Sequence, residues 1–225
     1  MPNSHTAPID DFLRRHWYMY PWLSPSQRQV ILQFTATFCE ETEFLHAPGI
    51  ENAEELSWLV GANAALVGGA QKTACFSSVR WVHLVDDGDL GELSGDALGH
   101  STVRINAWDL WEESVQRIPG QQIAVHEFAH VLDSLFGISD STASLRDGLK
   151  IHLANRRRGI DDGLPDDVAR ALVEEDSSVE FFACLSELFF TDPHGVIDFH
   201  PPLYADLVGL YGLDPAAHMP DLAAS

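Results

Sequence analysis

Three observations predict an α+β fold, mainly helical, with a small mixed sheet beside one helix. Apolar residues recur at helical spacing in several segments that proline and glycine separate. Only two short runs, Val79–Val85 and Thr102–Asn106, read as strands. Both precede an apolar helical stretch from about Gly120, and so the sheet is expected to lie against that helix.

Element by element, residues 1–25 read as an irregular lead-in, rich in aromatics around Trp17, Tyr18 and Tyr20. Ser24-Pro25 opens a helix bearing Val30, Ile31, Phe34 and Phe38, which Pro48-Gly49 breaks. A second helix spans about Asn52 to Val67 and is stopped by Gly68-Gly69. After the first strand come a turn at Asp86-Asp87-Gly88-Asp89 and a glycine-rich acidic loop to His100. Beyond the motif helix, helices are expected near Ser144–Ala154, Pro165–Glu175, Ser178–Phe190 and Leu203–Tyr211. The basic run Arg156-Arg157-Arg158 lies between the first two, and Pro193 and Pro201-Pro202 punctuate the end.

The 225 residues suffice for one buried domain, 1–225, with a helical N-terminal part (1–70) and a site-bearing part (79–225). Six Trp and twelve Phe within 45% apolar content argue against disorder. With 34 acidic against 13 basic residues the net charge is −21, a field that repels nucleic acid and attracts basic partners. Neither a secretory signal nor an apolar run of membrane-spanning length is visible. Three unpaired cysteines, Cys39, Cys75 and Cys184, fit reduced thiols, and the expected location is cytoplasmic, with no membrane partner.

The segment Ile123-Ala124-Val125-His126-Glu127-Phe128-Ala129-His130-Val131-Leu132-Asp133 contains H-E-x-x-H. Imidazoles four residues apart on a helix differ by about 40° and reach one ion from the same face. Glu127 then leans over the open metal position, where a carboxylate takes a proton from water. The other side is apolar throughout, and so the helix is buried and its polar stripe must be paired or coordinating. Asp133, one turn past His130, is too close to reach the same ion and is expected among the supporting residues.

A catalytic zinc takes three protein ligands and keeps one position open. Glu180 and Glu187 lie about 20° apart on the helix Ser178–Phe190, amid phenylalanines and leucines. Two carboxylates on a buried stripe need cations or donors. Ser177-x-x-Glu180 also reads as a capping box, and spacing alone does not choose between the two glutamates.

His126-Glu127-Phe128-Ala129-His130-x-Leu132-Asp133, with Glu180-x-Phe182-Ala183-x-Leu185-Ser186-Glu187-x-Phe189-Phe190 fifty residues on, resembles Mlc titration factor A and the related glucose-regulated zinc metallopeptidases. Thr102–Trp108, Pro202-Leu203-Tyr204 and Asp214-Pro215 extend the resemblance. It implies a zincin-like, gluzincin-type peptidase, aminopeptidase-like in activity, with one Zn²⁺ per chain held by His126, His130 and Glu180. It also implies Glu127 as the catalytic carboxylate, Glu187 as support, and a transcriptional repressor as a partner besides peptide or protein substrates. Val173 stands where relatives carry a tyrosine.

The strand Thr102–Asn106 is the expected partner for an extended substrate backbone. His83, His152 and Tyr204 are candidate oxyanion donors. An alternative, a di-iron carboxylate site, would use Glu43-x-x-His46 and Glu127-x-x-His130 with Glu180 and Glu187.

Overall fold

A computed structural model describes residues 6–86, 95–98, 101–165 and 178–222, with the backbone alone at 70–75 and 95–98. The fold is α+β, mainly helical, as the sequence predicts. Residues 87–89 of the expected turn, most of the acidic loop, and residues 166–177, which hold all but the first residue of the expected helix near Pro165–Glu175 together with Val173 and Ser177, lie outside the described residues.

Helix α1 (Ala7–His16) replaces the expected irregular start. Pro8 sits in its first turn, Asp10 pairs with Arg14 and Asp11 with Arg15 one turn on, and Ile9, Phe12 and Leu13 are buried. The aromatic cluster that follows obscured this short amphipathic helix. Helix α2 (Pro25–Glu41) starts at a capping box in which the Ser24 hydroxyl accepts from the Gln27 N–H and the Gln27 side chain accepts from the Ser24 N–H. It ends at Glu41, before Pro48, because strand β1 (Glu43–His46) follows at once. Glu43-x-x-His46 is therefore strand and not helix, and its residues alternate faces, which removes the di-iron alternative.

Helix α3 (Ala53–Lys72) runs through the core between α2 and the motif helix. The helix breaks at Gly68-Gly69, as the sequence predicts: Gly69 leaves helical geometry at φ 57°, where a Cβ would meet the Tyr211 carbonyl oxygen at 2.6 Å, and a short helical stretch follows to Lys72. Strands β2 (Trp81–Val85), β3 (Gly95–Leu98) and β4 (Thr102–Asn106) complete a four-stranded sheet in the order β1-β2-β4-β3. β1, β2 and β4 are parallel and β3 is antiparallel to β4. β4 thus has a neighbour on both sides and cannot take an added strand. The expected substrate pairing there is corrected, and β3, missed within the acidic loop, is the edge on that side, with β1 at the other.

Helix α4 (Ala107–Val115) begins where Asn106 caps it, the Asn106 side chain accepting from the Trp108 and Asp109 N–H groups. The motif helix α5 (Ile123–Phe136) and the short α6 (Ile138–Ser141) share Gly137, left-handed at φ 59°. Helix α7 (Ala143–Arg158) absorbs the basic run as its last turn, where arginines complement the helix dipole. Helices α8 (Ser178–Thr191), α9 (Pro193–Phe199) and α10 (Pro201–Tyr211) close the described chain, each of the last two with proline in its first turn. No described helix is long and apolar enough to cross a membrane.

Candidate metal centre

Helix α5 packs against α3, α8 and the β3–β4 side of the sheet, and so most of it is buried. Phe128 points into the core, edge-on to Phe38 and Phe76 with ring centres 5.8 and 5.0 Å away. The face turned to α8 carries the histidines. His126 Nε2 and His130 Nε2 stand 3.0 Å apart. On α8, the Glu180 carboxylate meets both, with Oε1 3.2 Å from His126 Nε2 and Oε2 3.3 Å from His130 Nε2.

These separations fit a metal. Ligands about 2.0–2.1 Å from a tetrahedral ion lie about 3.3 Å from one another. Two imidazole nitrogens and one carboxylate are also the donor types zinc accepts at a site that keeps an open position. His130 and Glu180 retain 22% and 17% of their side-chain exposure, leaving the centre reachable from solvent. Burial by itself raises the Glu180 carboxyl, yet the two imidazoles outweigh it and hold the group well below the ordinary range.

Glu187, two turns after Glu180, lies behind His126. Its Oε2 is 3.0 Å from His126 Nδ1, and its Oε1 accepts the Gln122 N–H at 2.9 Å. A carboxylate at Nδ1 keeps the proton there and turns the Nε2 lone pair to the centre. Burial pulls the His126 pKa down, but Glu187, with Cys184 and Glu180, raises it well above the usual value.

Three supporting residues escaped the sequence reading. Gln122 begins α5 without a side-chain cap, and in its place Glu113, from α4, accepts the Ile123 N–H at 2.5 Å. Desolvation raises the Glu113 carboxyl to about 8, with Glu187 and Asp109 adding repulsion. Gln122 itself donates through Nε2 to the Glu113 carbonyl at 2.9 Å, tying α4 to α5. Cys184, one turn past Glu180, points its thiol at Glu180 Oε1 from 3.6 Å, and burial pushes it up to about 11. An acidic residue ten positions before a poorly capped helix is a weak signal, and Glu113 was not legible from spacing.

Glu127 is 3% exposed and sits beside the first histidine. Asp133 is a correction: its two oxygens accept from the Ser139 N–H and hydroxyl at 2.7 and 2.8 Å, so that it fastens α6 to α5 and does not support the histidines. Tyr204 is also occupied elsewhere, donating to Asp214 at 2.6 Å and accepting from the Ala216 N–H at 3.0 Å. His152 is fully buried against Asp162, 2.6 Å away. Neither of the latter two is placed as an oxyanion donor by these bonds.

A second set of donors, His126, Cys184 and Glu187, also converges. It leaves out His130, whereas His126, His130 and Glu180 bring three donors to 3.0–3.3 Å from one another and form the better candidate. No curated protein matches the chain. The sequence matches the family described as glucose-regulated metallo-peptidase M90 over residues 3–158, a span that contains His126, Glu127 and His130 and ends before α8. By that match, the chain belongs to the M90 metallopeptidases.

Proposed function

We propose that the protein is a zinc-dependent peptidase, aminopeptidase-like in specificity, with His126, His130 and Glu180 as the ligands. The observation that carries this reading is the approach of Glu180, across fifty residues of sequence, to within 3.3 Å of both imidazoles. When bound, zinc supplies Lewis acidity, polarising a carbonyl and making water more acidic. Glu127 is the general base: it takes the proton of the attacking water and returns it to the leaving amine nitrogen. Glu187 fixes the His126 ring through Nδ1, and Cys184 holds a neutral thiol against Glu180. The edge strand β3, beside α5, is the backbone to which an extended peptide would add.

The test is metal analysis of the purified protein together with a screen of chromogenic aminoacyl substrates and their N-blocked forms. About one zinc per chain with hydrolysis of the free-amine substrates supports the reading. Cleavage of blocked peptides alone would keep the peptidase and remove the aminopeptidase. Stoichiometric zinc with no hydrolysis of either would point to a regulatory protein that sequesters a repressor.

A further inference from the structure

A concavity that shares no described lining residue with the candidate metal centre lies where the parallel strands β1, β2 and β4 deliver their carboxyl ends. Its volume is about 810 Å³, within the range of ligand pockets. Among the described residues, the buried Leu56 and Val85, the indoles of Trp108 and Trp111, and the exposed Glu51 and Asp86 line it. No lysine, arginine or histidine is among the described lining residues.

Trp108 is 68% exposed, the most exposed large apolar side chain among the described residues. Its neighbour Trp111 is pinned by Phe12 and His16, with ring centres 6.3 and 5.5 Å away, and offers a fixed aromatic face. Indole faces attract cations, and carboxylates beside them add Coulombic attraction. The ends of α3 and α4 nearest the cavity are helix N-termini, which favour anions. That preference is already met: Glu54 and Glu55 occupy the first turn of α3, Asp109 that of α4, and Asn106 accepts two of α4's free N–H groups. Glu51, exposed and with no hydrogen bond or ion pair among the described residues, turns the balance further toward a cation.

We infer that this cavity is a binding site, separate from the metal centre, for the guanidinium or ammonium group of a basic side chain on an extended peptide. The cation lies against the indoles of Trp108 and Trp111 while Glu51 and Asp86 neutralise it, and the side chain's methylenes cover Leu56 and Val85. The site requires no peptidase activity.

Calorimetric titration of the zinc-loaded Glu127→Gln protein with an N-acetylated, C-amidated tetra-arginine peptide tests this without cleavage. The tetra-citrulline peptide is the uncharged control. Saturable binding is expected for arginine and not for citrulline. Glu51→Gln and Trp108→Ala are each expected to weaken it about fivefold, the equivalent of about 1 kcal/mol. Glu40→Gln, at the opposite end of the strands, reports general attraction to an acidic surface and is expected to change little. Equal affinity across all three variants, comparable citrulline binding, or competition by inorganic phosphate would each overturn the assignment. Both test residues are exposed, and unchanged circular dichroism will establish that the fold is retained.

Discussion

Glu187 and His126 form the structural link on which the centre depends, a carboxylate oxygen 3.0 Å from Nδ1. The same carboxylate accepts the Gln122 N–H, so that one side chain fixes both the start of α5 and the orientation of the first histidine. Glu187→Ala is therefore expected to weaken zinc binding about 10–100-fold, whereas Glu180→Ala removes a ligand and costs most of the affinity. Competition with a chromophoric chelator measures both. Near-equal losses, or the reverse order, would exchange the two roles.

Glu127→Gln is expected to keep its zinc and lose about 10²–10⁴ of the rate, the usual share of general base catalysis. Turnover close to that of the parent protein would exclude Glu127 as the base.

Asp133→Ala separates metal binding from stability. The Ser139 N–H and hydroxyl lose their acceptor in a buried setting, a cost of about 1–3 kcal/mol. Denaturant unfolding of the metal-free protein is expected to show that loss, with zinc affinity nearly unchanged. A tenfold drop in affinity would return Asp133 to the centre.

Glu113 gives the metal-free protein a pH signature. Its carboxyl is raised to about 8 when folded, against an ordinary value of 4.5 in the unfolded chain. The folded state therefore binds the extra proton between these values. Its contribution to stability is full below the unfolded value and is lost as pH rises through about 8. Glu113→Gln retains an acceptor for the Ile123 N–H and never ionises. Thermal melts are expected to find it equal to the parent protein near pH 5 and more stable at pH 9. Parallel melting curves across that range would show that Glu113 is already ionised in the native state.

What the sequence made legible follows from periodicity. Helices α2, α3, α5, α7, α8 and α10 each carry an apolar face or a buried run long enough to read. The two helices that carry the candidate ligands were located to within a few residues. Strands β1 and β3, of four residues each, were missed because a four-residue run shows too little alternation. Helices α1 and α9 hid behind an aromatic cluster and a proline. At the site, H-E-x-x-H fixed its own geometry in advance. The choice of Glu180 over Glu187 became geometric only when α8 was seen to face α5. Asp133 misled because the helical wheel places it beside the histidines, whereas its carboxylate turns to Ser139 at the next helix.

The parallel sheet has a consequence for the order in which the molecule acquires its parts. Neighbouring parallel strands cannot close through a hairpin, and β1 meets β2 only after α3 has been laid down between them. Such long closures cost chain entropy before any contact repays it, and they slow folding. Helix α5 rests on this sheet and on α8, one built earlier in the chain and one later. His126 and Glu180 therefore meet only when almost every other element is in place. During refolding, capture of zinc is expected to coincide with the slowest kinetic phase, making the ion a reporter of the finished chain.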